Sequence, residues 1–234
     1  MSSIEADEEM PGGPMANRPV HFFWLLDCSG SMMGNKISEL NFAIREALPE
    51  MQSAAKSNPA AKLMVRALTF NTGASWHDKQ AIDVASYSWK DVHADGVTDM
   101  GAAFHLVARE LGNLTMPQRA LRPVLALISD GGPTDDYRAG LRSIEATPWG
   151  QRAVRIAIAI GNDADRSMLK EFLNNPELEP LLVHNAGQLA SAIRWASTMA
   201  VKAASNAAPN TNSPLSNTGQ QWQAPPTTDD EDVW

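Results

Sequence analysis

The sequence contains one cysteine, Cys28, in 234 residues. A single thiol excludes an internal disulfide framework, the usual means of stabilising small secreted domains. No apolar run reaches the roughly 20 residues needed to cross a bilayer. The first ten residues are acidic and polar, unlike the basic and then apolar pattern of a secretion signal. We therefore expect a cytoplasmic protein that makes no use of a membrane.

The sequence also lacks an excess of basic residues. Lys and Arg total 19 against 27 Asp and Glu, which gives a net charge of −8. Residues 1–17 and residues 205–234 each hold four acidic residues and no basic one, so the segment between them is electrically balanced. Nucleic-acid binding requires a basic surface, and we predict no nucleic-acid partner.

Composition divides the chain into three segments. Residues 1–17 combine acids with Pro and Gly, and residues 205–234 are mostly Asn, Pro, Thr, Ser and Gln before an acidic run at 229–232. Such compositions cannot bury a core. We predict a disordered acidic lead-in at 1–17, one folded domain at 18–204, and a flexible polar and acidic tail at 205–234.

Within residues 18–204, short apolar runs alternate with helical patterns. This alternation predicts a three-layer α/β domain in which helices cover both faces of a mostly parallel sheet. The predicted strands are Val20–Leu26, Lys62–Phe70, a less regular one within 80–89 around Ile82, Val84 and Trp89, Arg122–Asp130, Val154–Ile160 and Leu181–Val183. The predicted helices are Lys36–Lys56, Thr98–Leu114, Tyr137–Ala146, Arg166–Asn174 and Leu189–Ala204.

The first strand ends in a cluster of oxygen-bearing side chains, Asp27, Ser29 and Ser31, around Gly30. Ligands of open α/β sheets bind where strands end at their carboxyl edge. Carboxylates and hydroxyls are hard ligands that suit Mg²⁺, Mn²⁺ or Ca²⁺. The alternative is an ordinary polar strand-to-helix turn with one serine as a helix cap.

These residues resemble the first segment of the metal-ion-dependent adhesion site of von Willebrand factor type A domains. Two further segments complete the resemblance over roughly residues 18–200: Thr98 in a loop before a helix, and Asp130 at the end of the fourth strand. The resemblance implies a Rossmann-like, doubly wound sheet of six strands with one antiparallel edge strand. It also identifies the candidate metal ligands, which are Asp27, Ser29, Ser31, Thr98 and Asp130. For Thr98, the alternative is the N-cap of the helix that follows.

The resemblance implies a binding module rather than an enzyme. In the family, a partner's Asp or Glu fills the sixth position of a bound Mg²⁺, Mn²⁺ or Ca²⁺. The stretch Asp27–Met32 on a lone cytoplasmic domain is similar to that of the bacterial tellurite-resistance-associated group. That likeness implies stress signalling with a kinase and a PPM-type phosphatase as partners.

Two other functions are weighed against this one. A phosphatase of the haloacid dehalogenase class also has an Asp after a buried strand, but it needs a second Asp two residues on, where this chain has Ser29. The serine-hydrolase pattern Gly-x-Ser-x-Gly and the phosphate-binding loop Gly-x-x-x-x-Gly-Lys-Ser/Thr are absent from the sequence. A metal-free scaffold is the third option.

The remaining candidate residues have structural explanations. His21 and His105 are expected to be packed or half-buried. Cys28 is expected to fill space, because the neighbouring Asp27 disfavours its thiolate. The last two sets are acidic: Asp135 and Asp136 are expected to be solvated loop acids, and the pair Asp163 and Asp165 to form a surface turn or part of a recognition rim.

The acidic run 229–232 is bracketed by Trp222 and Trp234, which a purely solubilising tail does not need. We hypothesise that this run occupies the open metal position. It would reach either the metal of its own molecule, masking the site, or that of a neighbour, producing self-association.

Overall fold

The structure is a computed structural model that describes residues 18–57, 61–112, 120–205 and 223–225. The predicted lead-in at 1–17 and most of the predicted tail lie outside the described residues. The strands are β1 (Arg18–Asp27), β2 (Ala61–Asn71), β3 (Gly73–Trp76), β4 (Ile82–Asp83), β5 (Val124–Ser129), β6 (Val154–Ile160) and β7 (Leu181–Val183). The helices are α1 (Asn35–Lys56), α2 (Met100–Gly112), α3 (Tyr137–Glu145), α4 (Pro148–Arg152), α5 (Arg166–Leu173) and α6 (Ala186–Ser205).

The strands form one sheet in the order β3-β2-β1-β5-β6-β7, and β4 also pairs with β2. Strands β2, β1, β5, β6 and β7 are parallel to one another, whereas β3 and β4 run antiparallel to β2. The predicted fold class, a doubly wound α/β domain with a mostly parallel sheet, is confirmed.

The antiparallel edge differs in position from the prediction. The chain turns back directly after β2, because Gly73 adopts a left-handed φ of 82° that glycine tolerates without strain. The predicted strand within 80–89 is reduced to the two residues of β4. Val84 lies in a 3₁₀ turn that follows it, and Trp89 lies in a loop. Among the described residues, the sheet therefore has seven strands rather than the six predicted.

Helices cover both faces of the sheet, as the apolar runs predict for parallel strands. Phe22, Trp24 and Leu26 of β1 belong to one buried cluster, which includes residues of α1 and α6. Phe23 and Leu25 point to the opposite face and pack in a second cluster with residues of α2, α3 and α5. All five side chains are at most 1% exposed, so β1 lies at the centre of the domain.

One helix matches its prediction through a proline, and another was not predicted. Helix α1 continues through Pro49 to Lys56, where the predicted helix also ends. Helix α4 has five residues, with Pro148 in its first turn and the Thr147 side chain accepting a hydrogen bond from Gly150 N. A helix this short shows no periodicity in the sequence. None of the helices in the described part of the chain has the length and apolar character needed to cross a lipid bilayer.

Helices α2 and α3 approach each other through two glycines. A Cβ atom added at Gly140 would lie 2.7 Å from Phe104 Cβ and 2.8 Å from the carbonyl oxygen of Gly101. A Cβ added at Gly101 would lie 2.7 Å from the carbonyl oxygen of Asp136. The absence of side chains at this contact therefore sets how close the amino end of α2 lies to the loop before α3.

Candidate metal centre

Asp27 and Asp130 stand at the carboxyl ends of neighbouring parallel strands. Strands β1 and β5 pair with Leu26 opposite Ile128, so the residues that leave the two strands come together at one edge of the sheet. Both carboxylates are buried, Asp27 at 0% and Asp130 at 2% exposure. Two buried acids at one sheet edge need compensating partners.

A continuous chain of hydrogen bonds joins four of the five predicted ligands. The Ser29 amide donates to Asp27 Oδ1 at 2.9 Å, and the hydroxyl oxygens of Ser29 and Ser31 lie 3.0 Å apart. The Ser31 hydroxyl donates to Asp130 Oδ1 at 2.7 Å. The structure therefore brings Asp27, Ser29, Ser31 and Asp130 together in one hydrogen-bonded cluster.

The loop that carries the fifth predicted ligand, Thr98, is joined to the loop after β1 by backbone hydrogen bonds. The Asp95 amide donates to the Cys28 carbonyl at 2.8 Å, and the Gly30 amide donates to the Gly96 carbonyl at 3.0 Å. Thr98 itself exchanges two bonds with Thr134: its amide donates to the Thr134 hydroxyl at 3.1 Å, and its carbonyl accepts from the Thr134 amide at 2.9 Å. Thr98 is 6% exposed. Its loop is therefore held by hydrogen bonds to the loop after β1 and to the loop after β5.

The prediction of a solvated loop acid is wrong for Asp135, whereas Asp136 is exposed before α3 as predicted. Asp135 is half-buried, and its two carboxylate oxygens accept from the amides of Gly101 and Ala102 at 2.7 and 2.8 Å. Asp135 thus binds the first-turn amides of α2, the capping role considered for Thr98. Asp136 caps α3 by accepting from the Ala139 amide at 3.0 Å. Both carboxylates accept hydrogen bonds from backbone amides, because the first amides of a helix have no partner within the helix.

Two residues of the site were missed by the sequence analysis. The Ser129 hydroxyl donates to Asp27 Oδ2 at 2.5 Å, and Ser129 is fully buried. Its position directly before Asp130 at the end of a strand was a usable signal. Lys36 places its Nζ 2.6 Å from Asp130 Oδ2. No local sequence pattern predicts that contact, because Lys36 and Asp130 are 94 residues apart.

The site concentrates negative charge that burial makes unfavourable. Burial raises the pKa of Asp27, and the charge of Asp130 adds to the effect, while hydrogen bonds from Ser129 and Ser29 oppose it. The Lys36 ammonium offsets one of the two carboxylates. A divalent cation that displaced Lys36 would offset both carboxylates, and the carboxylate and hydroxyl oxygens have the hard-ligand chemistry that Mg²⁺ and Mn²⁺ prefer. The residues present therefore fit such an ion.

A cation here must use hydroxyl oxygens. In the part of the chain that the structure describes, no group of three or more His, Cys, Asp or Glu side chains could hold a metal. The two carboxylates alone are too few to coordinate an ion. The hydroxyls of Ser29, Ser31 and Thr98 would have to supply the remaining protein ligands.

Lys36 would compete with a bound metal ion for Asp130, because its Nζ already contacts Asp130 Oδ2. We expect Lys36→Gln to tighten Mn²⁺ binding about tenfold, equivalent to about 1.4 kcal/mol, because the incoming ion no longer displaces an ammonium group. The variant should also melt lower in EDTA, since a buried carboxylate loses its partner. Calorimetric titration measures the affinity. Lys62→Gln, which breaks the exposed pair with Asp83, is the charge-matched control, and weaker Mn²⁺ binding by Lys36→Gln would contradict the idea.

Cys28 lies between the ligands but is chemically protected. It is 1% exposed, and burial together with the Asp27 charge raises its pKa to about 12. At pH 8 only about one thiol in ten thousand is ionised, and the thiolate is the reactive form. We expect iodoacetamide to label the native chain at least about a thousandfold more slowly than the urea-unfolded chain, as followed by mass spectrometry. Equal labelling rates would show that the site opens readily.

The two candidate histidines and the acidic pair 163 and 165 show no sign of a second site and have ordinary surroundings. His21 is half-buried, and burial lowers its pKa. His105, expected to be packed or half-buried, is exposed on the outer face of α2, where its Nδ1 lies 3.0 Å from the Ser143 hydroxyl. Asp163 is exposed in a turn, and Asp165 caps α5 through a bond from the Met168 amide at 3.0 Å.

Comparison of the sequence with protein-family models and with curated proteins finds no match. Solved structures match in fold. A von Willebrand factor type A protein from Catenulispora acidiphila shares 18% identity at a TM-score of 0.58, covering 78% of this chain and 42% of that one. The pilus adhesin SpaC from Lactobacillus rhamnosus GG shares 14% identity at a TM-score of 0.61, covering 79% of this chain and 30% of that one.

A third match is proximal thread matrix protein 1 from the mussel byssus, in a structure with a zinc-occupied adhesion-site motif. It shares 14% identity at a TM-score of 0.56, covering 78% of this chain and 48% of that one. This chain thus spans less than half the length of each of these proteins, and at such low identity the likeness concerns the fold. The described domain has the Rossmann-like α/β fold of von Willebrand factor type A domains.

Proposed function

We propose that this protein is a metal-dependent protein-binding module. Asp27, Ser29, Ser31, Thr98 and Asp130 would hold a Mg²⁺ or Mn²⁺ ion, and a partner's Asp or Glu would complete its coordination. The observation that carries the proposal is the hydrogen-bonded chain from Asp27 through both serines to Asp130, at the carboxyl edge of the sheet. The zinc-occupied motif of the mussel protein, which shares this fold, supports it.

The charge of the ligand set favours capture of a carboxylate. Three of the five proposed ligands are neutral hydroxyls, so a bound ion would keep a positive field toward solvent and attract an incoming anion. Ser31 is exposed, so this field would be accessible from outside. The role of the protein is to hold the ion at a fixed place in a rigid edge.

Exposed apolar side chains beside the site support a protein partner. Among the described residues, three large hydrophobic side chains are exposed: Met33, Phe42 and Val97. Met33 follows Ser31 by two residues and Val97 precedes Thr98, so two of the three flank the proposed ligands. Apolar groups next to a charged centre match the composition of protein interfaces, where Met is enriched.

We extend the proposal to a class of partner. The stretch Asp27–Met32 resembles the tellurite-resistance-associated group, and we propose a bacterial stress-signalling role in the cytoplasm with a kinase and a PPM-type phosphatase as partners. Catalysis is not part of the proposal, because the position two residues after Asp27 is Ser29, whose hydroxyl pairs with that of Ser31.

Electron paramagnetic resonance of Mn²⁺ tests the metal directly, because binding removes the spectrum of the hydrated ion. We expect one Mn²⁺ per chain and an affinity about tenfold lower in Ser29→Ala, as a lost ligand of about 1.4 kcal/mol implies. Ser38 is the fourth residue of α1, and its hydroxyl donates to the Gly34 carbonyl oxygen. Ser38→Ala removes that hydroxyl. It serves as the control and should keep wild-type affinity.

Fluorescence anisotropy with a synthetic Asp-rich peptide tests the carboxylate step. Binding should need Mn²⁺, disappear in EDTA, and fail for a peptide in which Asn replaces every Asp. Peptide binding that persists in EDTA, or Mn²⁺ binding that Ser29→Ala leaves unchanged, would contradict the proposed function.

A further inference from the structure

An apolar groove lies along β7, the last strand in the order of the sheet. Among the described strands, β7 pairs only with β6. The groove has a volume of about 520 Å³, and its apolar lining includes Leu173, Leu178, Leu181, Leu182, Trp195 and Ala224. A volume in this range is typical of a binding pocket.

Two residues of the tail, Ala224 and Pro225, have contacts at or beside this groove. Ala224 lines it, and the Pro225 carbonyl accepts a hydrogen bond from Gln188 Nε2 at 3.0 Å. Gln188 is 6% exposed, and its other amide atom, Oε1, accepts from the His184 amide at 2.9 Å. Because both ends of this side-chain amide are bonded, Gln188 holds a fixed orientation toward Pro225.

Pro225 fixes where the rest of the tail begins. It is bonded to Gln188 at the start of α6, and α6 begins shortly after the end of β7. The residues that follow Pro225 therefore start at the carboxyl edge of the sheet, where Asp27 and Asp130 are located. Trp222 precedes Ala224 by two residues, at most about 7.6 Å away between Cα atoms.

We propose that the groove beside β7 binds Trp222 of the same chain, and that this docking delivers an acidic side chain of the run 229–232 to the metal as an internal ligand. The second half rests on the proposed function. Trp222 is the large apolar group nearest along the chain to the residue that lines the groove, and an indole buries a large area when packed in such a pocket.

The distances allow the acidic run to reach the metal of its own molecule. Strands are about 4.8 Å apart, so the end of β5 lies about 10 Å from the end of β7 and the end of β1 about 14 Å. Asp229 follows Pro225 by four residues and Asp232 by seven, which span at most about 14 Å and 25 Å when extended. With Pro225 anchored, the acidic run is therefore close enough to reach the metal site of its own molecule, without a neighbouring molecule.

The docking step is measured in EDTA, where no metal contributes. We expect Trp222→Ala in the full chain to lower the melting temperature by about 4 °C, the shift produced by losing one packed aromatic group in a chain of this size. Trp234→Ala, which removes the other tail tryptophan, is the matched control and should leave the melting temperature unchanged. Equal melting temperatures for the two variants would overturn the docking.

The internal-ligand step is measured with Mn²⁺ and a synthetic peptide of sequence 226–234 added in trans. A short tether gives an effective concentration in the millimolar range, so wild type should bind the peptide about fivefold more weakly than a variant with Asn or Gln at all four acids of 229–232. Trp222→Ala should relieve part of this difference, because it releases the anchor. Equal peptide affinities for wild type and the neutralised variant would overturn the internal ligand.

The remaining outcomes are distinguishable. If Mn²⁺ binds none of the proteins, the proposed function fails and the internal ligand with it, whereas the EDTA experiment still decides the docking. If sedimentation shows a dimer of the wild type that EDTA dissociates and the neutralised variant lacks, the acidic run acts between molecules. That result would overturn the internal arrangement in favour of self-association.

Discussion

We expect Asp130→Asn to abolish the stabilisation that Mg²⁺ or Mn²⁺ gives to the wild-type protein. A ligand that binds only the native state at a hundred times its dissociation constant adds about 2.7 kcal/mol, or roughly 5–10 °C in melting temperature for a domain of this size. Asn keeps an oxygen that can accept from Ser31, but it removes the negative charge that attracts the cation. Thermal denaturation with and without millimolar metal measures the effect.

The matched control is Asp165→Asn. Asp165 is also an acid on the same edge of the sheet, where it caps α5, and Asn is an equally good cap. This variant should retain the full metal-dependent rise. A rise that survives in Asp130→Asn would show that the ion binds elsewhere or does not need this carboxylate.

The second large effect is expected at the contact between α2 and α3. We predict that Gly140→Ala destabilises the domain by about 2 kcal/mol. The new methyl group would lie 2.8 Å from the Gly101 carbonyl oxygen, and overpacking of this kind costs about 1–3 kcal/mol. The atoms it meets include backbone, which cannot rotate away as a side chain can. Urea denaturation measures the loss, and the variant should also bind Mn²⁺ more weakly because α2 begins beside Thr98.

Gly112→Ala separates packing from helix propensity. Gly112 ends α2, and a Cβ there would lie 3.5 Å from Thr147 Cγ2, an ordinary contact distance. Its stability should be unchanged or slightly higher, because Ala favours a helix more than Gly does. If both alanine variants have the same stability, the two helices can separate without loss and the close contact is unimportant.

The layered fold could be predicted because burial on both faces leaves a plain mark in the sequence. Runs such as Val124–Ser129 and Val154–Ile160 are almost wholly apolar and too short to be core helices. The antiparallel edge could not be placed, since β4 has only two residues and its alternation is too short to detect. Pairing with β2, rather than the local pattern, makes it a strand.

The sequence predicts that the candidate ligands lie near one another, but not the side chains that support them. Asp27, Ser29 and Ser31 are close in sequence, and the ends of parallel strands bring Asp130 beside them. Lys36 and Asp135 act on partners 94 and 34 residues away. Such contacts depend on how helices sit on the sheet, and no spacing within one segment reports them.

The hydrogen bonds between the three loops have an entropic consequence. Backbone hydrogen bonds join Cys28 to Asp95 and Gly30 to Gly96. The backbone of Thr98 is bonded to Thr134. These loops are therefore ordered when the domain folds, and their conformational entropy is lost before any ion arrives. Capture of the proposed cation would then require that it shed water and displace Lys36, without rearrangement of these loops. We expect its rate to be limited by ion dehydration.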